Sequence, residues 1–586
     1  MAAEIPPVPW STIPEMMRDV ASRHAALDAV VDGETRLDFD SLHAESLRFA
    51  RALDAQGIGA GDAVAIWASN GWRWVVAASG AWQVGASVVP LASRWKAPEV
   101  GPLLTRVGAR ILVVDEESAG ERLLDALVAR YATGGSPGGA TSGAPGGSPP
   151  IAGLPSLEQV VVLDRAAASD GACARSSTST STSAAARAAG GEVGLGSETA
   201  SSGVARWDEF VARGDGRAAP DGSAARPESI AQILFTSGTT GSPKGVELAH
   251  RQLLSAYWDW SGIGGLEAGD RFLVIPPYSH GFGMNGGILA CWMRGVANVP
   301  VAVFDPRATL EAIARERISV ISGPPTLFAT LMNLEGFAPE RTRSLRTAFV
   351  GAAAVPTELI QAMRGRMGIR RVINAYGLIE VCVVSMTRAD DAESVIATTT
   401  GRAMPGVEVR IVAVGEGAAA SDAVDVPDGS PGEVWVRSQG VMRGYFRDPE
   451  QTAAAIVEGG WCRTGDVGIR DAVGHIRVVD RLKDAYNCGG FSAYPAEIEN
   501  QLLEHPSVAQ VAVVGVPDAR LGEVGHAFVI ARAGTRVDPE AIVAWARANM
   551  ANYKAPRRVH VLESLPLNAN GKVRKEVLRA RALEGV

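Results

Sequence analysis

Cysteine is scarce. The 586 residues include five, at positions 173, 291, 382, 462 and 488, and no two form a CxxC pair. A disulfide framework or structural zinc site is therefore not expected, and a reducing cytoplasm is the expected setting. Positive charge is not in excess either: 56 Lys and Arg stand against 64 Asp and Glu, a net charge of −8. That balance offers no electrostatic case for DNA or RNA, so no nucleic-acid partner is expected. No apolar run reaches the roughly 18–20 residues a membrane span requires, so no integral membrane contact is expected. The opening MAAEIPPVPW lacks the basic-then-apolar order of a signal peptide. What the chain does have is 47% hydrophobic and 20% charged residues. That suffices for large buried cores and excludes a mainly disordered protein.

Short β-rich runs alternate with helical stretches over most of the length. AVAIWA at 63–68 is apolar throughout, ILVVD at 111–115 and VVVLD at 160–164 are apolar up to a closing Asp, and similar strand candidates recur to residue 375, among them 299–304. Fully apolar strands between helices predict an α/β fold with mostly parallel sheets covered on both faces. From about 401 to 479 strands crowd together around PDGSPGE, which predicts a small β-rich subdomain. The remainder, 481–586, predicts a compact α+β unit. The expected domains are thus 1–480 and 481–586, with the connection near 480–483. Two tracts, 133–150 and 166–205, are rich in Gly, Ser, Thr, Ala and Pro. They cannot bury enough apolar surface to offset ordering entropy and are read as solvated insertions.

The strongest local signal is FTSGTTGSPKGV at 235–246. A strand runs into a Gly, Ser and Thr loop with one lysine. Such a loop aims backbone N–H groups, hydroxyls and an ammonium at one anion, so it reads as a phosphate cradle. It is not the common triphosphatase loop, because Lys244 lies between Pro243 and Gly245. A weaker glycine pattern at 415–420 is followed by no helical segment and is set aside.

Six further segments follow in order: PPYSHGFGM, GAAAVP, NAYGLIE, WCRTGD, DRLKDAYNCGGFSAYPAEIE and PLNANGKVRK. Together with the loop they resemble the adenylate-forming superfamily, in particular its acyl-CoA ligase branch. The resemblance implies a large N-terminal domain and a small mobile C-terminal domain. It implies that a carboxylic acid and MgATP form an acyl-adenylate, which coenzyme A then converts to a thioester.

Residue by residue, the resemblance implies that Thr236, Ser237, Gly238, Thr239, Thr240, Gly241 and Lys244 hold the ATP phosphates. Glu380 would hold Mg²⁺. Gly351, Ala352 and Ala353 would line the adenine, with Asn374, Ala375, Tyr376 and Gly377 beside it. Asp466 would accept hydrogen bonds from the ribose hydroxyls, with Arg481 nearby. Lys572 would be the mobile catalytic lysine and His280 would gate the acid pocket. Lys483 would mark the hinge, and Gly489 and Gly490 would let the pantetheine arm pass. Tyr278, Gly281, Phe282, Gly283, Asn285 and Phe328 would form the acid pocket. These pocket segments are apolar and glycine-rich, which favours a hydrophobic acid; the similarity is greatest to ligases for fatty or bulky polycyclic acids.

One position departs from the family's Tyr-Gly-x-Thr-Glu: Ile379 stands where the threonine is usual. Losing a hydrogen bond to a charged group costs about 1.5–3 kcal/mol, or roughly 10–150-fold in rate. An adenylation-impaired ligase fed with acyl-adenylate by a companion enzyme is therefore the alternative. Further alternatives are a non-catalytic adenylate-binding protein, a phosphotransferase and a carrier-protein loader. A homodimer is compatible with the sequence.

Overall fold

The computed structural model describes residues 5–118, 120–131, 149–163, 203–236, 243–351, 355–413, 423–489, 491–568 and 572–584. Most of both low-complexity tracts, the glycine pattern at 415–420 and Cys173 lie outside these. The other four cysteines are buried and free. No helix among the described residues is long and apolar enough to cross a membrane. The chain forms two compact units, one of residues 43–231 and one of residues 1–42 with 232–586.

In the unit 43–231 the apolar runs form parallel strands. Ser87–Leu91, Ala63–Trp67, Ile111–Asp115, Gln159–Leu163 and Val204–Arg206 lie side by side in that order. The first four are buried at every residue, as strands covered on both faces must be. The tail of the second expected insertion, 203–205, thus contributes to a strand. Helix packing here is close. A Cβ on Gly80 would lie 2.9 Å from both the Phe49 ring and the Ser46 carbonyl oxygen. Phe49 in turn stacks on Trp207 at 4.8 Å.

The other unit is built on a nine-stranded sheet among its described residues. Its centre is parallel, in the order Arg371–Leu378, Thr347–Val350, Val320–Gly323, Arg271–Val274, Ala297–Pro300 and Asp28–Asp32. Antiparallel strands close both edges. The run expected as a strand over 299–304 ends at Pro300. Asp305 caps the helix Pro306–Arg315 through Ala308 N–H, and Val303 and Phe304 are left exposed.

An antiparallel sheet follows, made of Glu408–Val412, Gly432–Arg437, Trp461–Arg470, Ile456–Val457 and Ile476–Arg481. This is the expected β-rich subdomain. The last sheet, with Val508–Asp518 and Gly522–Ala531 as its long hairpin, carries helices on both faces. Val513 packs with Ile498, Leu502 and Ile542. Its neighbours Ala512, Val514 and Val516 pack with Phe528 and Leu578 instead. The period-two alternation of VAQVAVVGVPD therefore serves two cores. Residues 480 and 481 end the strand Ile476–Arg481, and Lys483 lies in the exposed turn after it.

Candidate active site

Asp466 lies on the strand Trp461–Arg470, opposite Arg481 in the antiparallel register. Opposed residues share a face, so Arg481 Nε reaches Asp466 Oδ1 at 2.7 Å. The Tyr376 hydroxyl donates to the other oxygen, Oδ2, at 2.5 Å. Burial pushes the Asp466 carboxyl above its usual range, while Arg481 and Tyr376 pull it back. Tyr376 thus has its ring position fixed by the carboxylate.

Glu380 lies in the turn of a bulged hairpin between Arg371–Leu378 and Cys382–Met386. Cys382 adopts φ 57°, and a Cβ on Gly377 would lie 2.1 Å from the Cys382 carbonyl oxygen. Only glycine fits at 377, and the tight turn projects Ile379 and Glu380 together. Glu380 Oε1 accepts the Tyr445 hydroxyl at 3.1 Å. Lys244 Nζ lies 4.8 Å from the centroid of the Tyr445 ring and donates to Gln451 Oε1 at 2.6 Å. Tyr445 therefore joins Lys244, at the end of the glycine-rich loop, to Glu380, and Gln451 holds the lysine in place. Sequence reading missed both, since neither lies in a segment that carries an evident signal.

Lys572 immediately precedes Val573, which forms an isolated antiparallel bridge with Leu567. Asn568 grips its backbone twice: Asn568 Oδ1 accepts Lys572 N–H at 2.9 Å, and Asn568 N–H donates to Lys572 O at 2.8 Å. The ammonium feels Asp466 and Glu380, which raise its pKa, and Arg481 and Lys483, which lower it. Burial is the largest influence, and the net direction is down. The same ammonium acts on His280, whose imidazole falls to about 4, chiefly through burial. Both side chains keep accessible surface although protein surrounds them, as groups lining a cleft do. At neutral pH His280 is uncharged.

His280 opens a wide π-helical turn, Phe282–Leu289, a form often found at functional sites. Its Nδ1 accepts Phe282 N–H at 3.2 Å. A Cβ on Gly283 would overlap the Pro277 carbonyl oxygen at 2.0 Å, so glycine there allows the turn to close. A Cβ on Gly281 would lie 3.7 Å from Ile379, 3.8 Å from Leu234 and 4.0 Å from Asn285. Asn285 is buried beside Tyr257, its Oδ1 lacking a partner among the described residues. Phe282 meets Trp260 edge-on at 5.6 Å.

Other expected residues have structural employment. Tyr278 is wholly buried and donates to Asn298 Oδ1 at 2.5 Å. Phe328 is wholly buried in the core around Ile321 and Leu331. Asn374 uses its amide to hold Ile396 O and Thr399 O at 3.1 and 3.0 Å. Gly351 and Ala375 lie at the C-terminal ends of their parallel strand segments. Thr236 ends its strand, and its hydroxyl faces Lys244 O. Gly489 adopts φ 62° and donates its N–H to Leu521 O at 2.7 Å. Ser237, Gly238, Thr239, Thr240, Gly241, Ala352, Ala353 and Gly490 lie outside the described residues.

Residues 17–446 match the family described as AMP-binding enzyme, and residues 497–572 match the AMP-binding enzyme C-terminal domain. The chain belongs to the AMP-binding enzymes. It is 37% identical over 573 residues to the 3-[(3aS,4S,7aS)-7a-methyl-1,5-dioxo-octahydro-1H-inden-4-yl]propanoyl:CoA ligase of Rhodococcus jostii strain RHA1, covering 97% of this chain and 98% of that one. It is 40% identical over 582 residues to the ligase of the same name from Mycobacterium tuberculosis, covering 96% and 99%. Among solved structures, an anthranilate CoA ligase in complex with anthranoyl-AMP overlays with a TM-score of 0.78 at 23% identity, over 100% of both chains. That likeness shows the fold. This AMP-binding enzyme is an ATP-dependent, AMP-forming acid–CoA ligase. The relatives favour a complete ligase over the adenylation-impaired and non-catalytic readings.

Proposed function

We propose that this ligase activates a bulky, hydrophobic, fused-ring carboxylic acid in the cleft where Lys572, His280, Glu380 and Asp466 meet. One observation carries the reading: the Lys572 ammonium is near enough to both carboxylates for their charges to raise its pKa, and near enough to His280 to disfavour protonation of the imidazole. The substrate class is supported by the fused-ring propanoates named for the two bacterial relatives. It is supported too by the apolar Ile379 and Leu234 side chains, which a Cβ on Gly281 would touch.

In the first half-reaction a carboxylate oxygen of the acid bonds to the α-phosphorus, the α–β anhydride bond breaks, and pyrophosphate leaves. Both reactants are anions, so the catalytic need is positive charge and alignment. Lys572 supplies the charge between them. Asp466 accepts from the ribose diol, and Arg481 and Tyr376 hold its two oxygens in place. Thr236 and Lys244 bind the outer phosphates. Neutral His280 lines the acid side as a hydrogen-bonding group, not a second cation. The described residues contain no group of three His, Cys, Asp or Glu able to hold a metal alone. A single carboxylate, Glu380, with ATP oxygens suits Mg²⁺, which usually takes one or two carboxylates plus phosphates. Bound there, it would offset phosphate charge. In the second half-reaction the coenzyme A sulfur bonds to the acyl carbon, the acyl–phosphate bond breaks, AMP leaves and the thiol proton is released. We assign that step to a rotation about the turn carrying Lys483, which withdraws Lys572 and brings Gly489 and Gly490 to the cleft.

The test is a panel of acids with MgATP and coenzyme A, read by mass spectrometry. Fused-ring propanoates are expected to give thioester and AMP, while α-amino acids give neither. Turnover of amino acids alone would overturn the substrate reading, and ADP in place of AMP would overturn the mechanism.

Ile379 bears on the first step only. Ile379→Thr is expected to speed acid-dependent ATP–pyrophosphate exchange by roughly 10–150-fold, since it restores one donor to a charged group. Thioester formation from synthetic acyl-adenylate is expected to stay unchanged. An equal rise in both would place the effect in acid binding.

A further inference from the structure

A chain of polar contacts that the chemistry above does not use runs from the ribose strand to the arm bearing Lys572. Asp480 precedes Arg481 at the end of the strand Ile476–Arg481, paired with Val467 next to Asp466 on the neighbouring strand Trp461–Arg470. Its side chain is buried. Asp480 Oδ1 accepts Arg481 N–H at 2.7 Å, and Oδ2 accepts Ala496 N–H at 2.7 Å in the first turn of the helix Pro495–Leu502. From the same helix Glu499 Oε1 accepts Lys575 Nζ at 2.9 Å and Val513 N–H at 2.8 Å. The Lys575 charge also acts on Asp480, opposing the burial that raises its carboxyl to about 6. Lys575 opens the last helix, three residues after Lys572.

These contacts divide at one place. Asp480 precedes the turn that carries Lys483, in which Asp484 and Ala485 N–H both donate to Arg481 O. Ala496, Glu499 and Lys575 all follow it. A rotation about that turn leaves Glu499 with Lys575, because both travel together. It takes Ala496 and Lys575 away from Asp480, and by the same motion takes Lys572 away from Asp466. The Asp480 contacts and the engagement of Lys572 therefore form and break together.

We propose that Asp480 is a positioning residue that holds the adenylating arrangement, with Glu499 and Lys575 as the arm through which its hold reaches Lys572. The proposal rests on the reading that Lys572 serves adenylation and then withdraws. Removing a hold specific to one arrangement shifts the population away from it and leaves the other arrangement intact.

The experiment separates the half-reactions in the full chain. Acid-dependent ATP–pyrophosphate exchange reads adenylation; thioester from synthetic acyl-adenylate and coenzyme A reads the second step. Asp480→Asn keeps the size but removes the charge and one acceptor. It is expected to lower the exchange rate by about 10–100-fold, the scale of a lost charge-assisted bond. Its KM for ATP and its thioester rate should stay within about threefold of the parent. Lys575→Met, away from the strand, is expected to give the same split, and Lys575→Arg to restore exchange. Equal loss in both half-reactions, or no loss in exchange, with a folded Asp480→Asn or Lys575→Met protein overturns the proposal. Lys572→Met is the control: if it does not selectively abolish exchange, the underlying reading of Lys572 fails first. If it does, the behaviour of the Asp480 and Lys575 variants tests the positioning role alone.

Discussion

Lys572→Met is expected to lower acid-dependent ATP–pyrophosphate exchange by about 10²–10³-fold, the usual cost of removing a group that meets developing charge. Thioester formation from synthetic acyl-adenylate should fall by no more than about threefold, because Lys572 is withdrawn in that step. The split follows from where the ammonium lies, among Asp466, Glu380 and His280. Arg481 cannot replace it, since its Nε is committed to Asp466 at 2.7 Å. Lys244 cannot either, being tied to Gln451 at 2.6 Å. Quench-flow detection of the acyl-adenylate checks the result directly. A matched loss in both half-reactions would mean that Lys572 acts on folding or acid binding instead.

Asp466→Ala should reduce kcat/KM for ATP by about 30- to 5000-fold, mainly through KM, with a lowered Tm. The size follows from leaving a charged, hydrogen-bonded partner unpaired, which costs about 2–5 kcal/mol. Two groups lose their acceptor at once: the Arg481 guanidinium and the Tyr376 hydroxyl. The first is on the neighbouring strand, so the loss is felt in the sheet as well as at the nucleotide. Tyr376→Phe removes only one donor and leaves the ion pair, so its effect should be smaller than that of Asp466→Ala. Steady-state kinetics over an ATP series, together with thermal unfolding of both variants, checks the order. If Tyr376→Phe cost more than Asp466→Ala, the Tyr376 hydroxyl and not the carboxylate would be the main nucleotide contact.

The His280 imidazole is lowered to about 4 chiefly by burial and in smaller part by the Lys572 charge, so Lys572→Met is expected to raise it, which an NMR titration of His280 checks.

Much of this is legible in the sequence. Strands such as ILVVD and VVVLD are apolar at four consecutive positions before their closing Asp, and only a sheet covered on both faces accommodates that. Candidate site residues stand out when glycine or a fixed local spacing surrounds them, as with Glu380 after Tyr376-Gly377 and Lys572 after Gly571. Such signals are local, so one dimension suffices to read them. Partners distant in sequence are not readable. Tyr445 with Glu380 and Lys244 with Gln451 join positions 65 and 207 residues apart. Nothing in a tyrosine or glutamine alone says which neighbour the sheet will bring. Tyr278 and Phe328, read as pocket walls, are instead wholly buried. Aromatic rings enter cores and pockets for the same reason, release of apolar surface from water, and only packing separates the two. The residue types and their order thus set the chemistry and the class of fold, while sheet register and turn geometry decided which groups meet, because hydrogen bonds and ion pairs depend on distances that the linear chain does not contain.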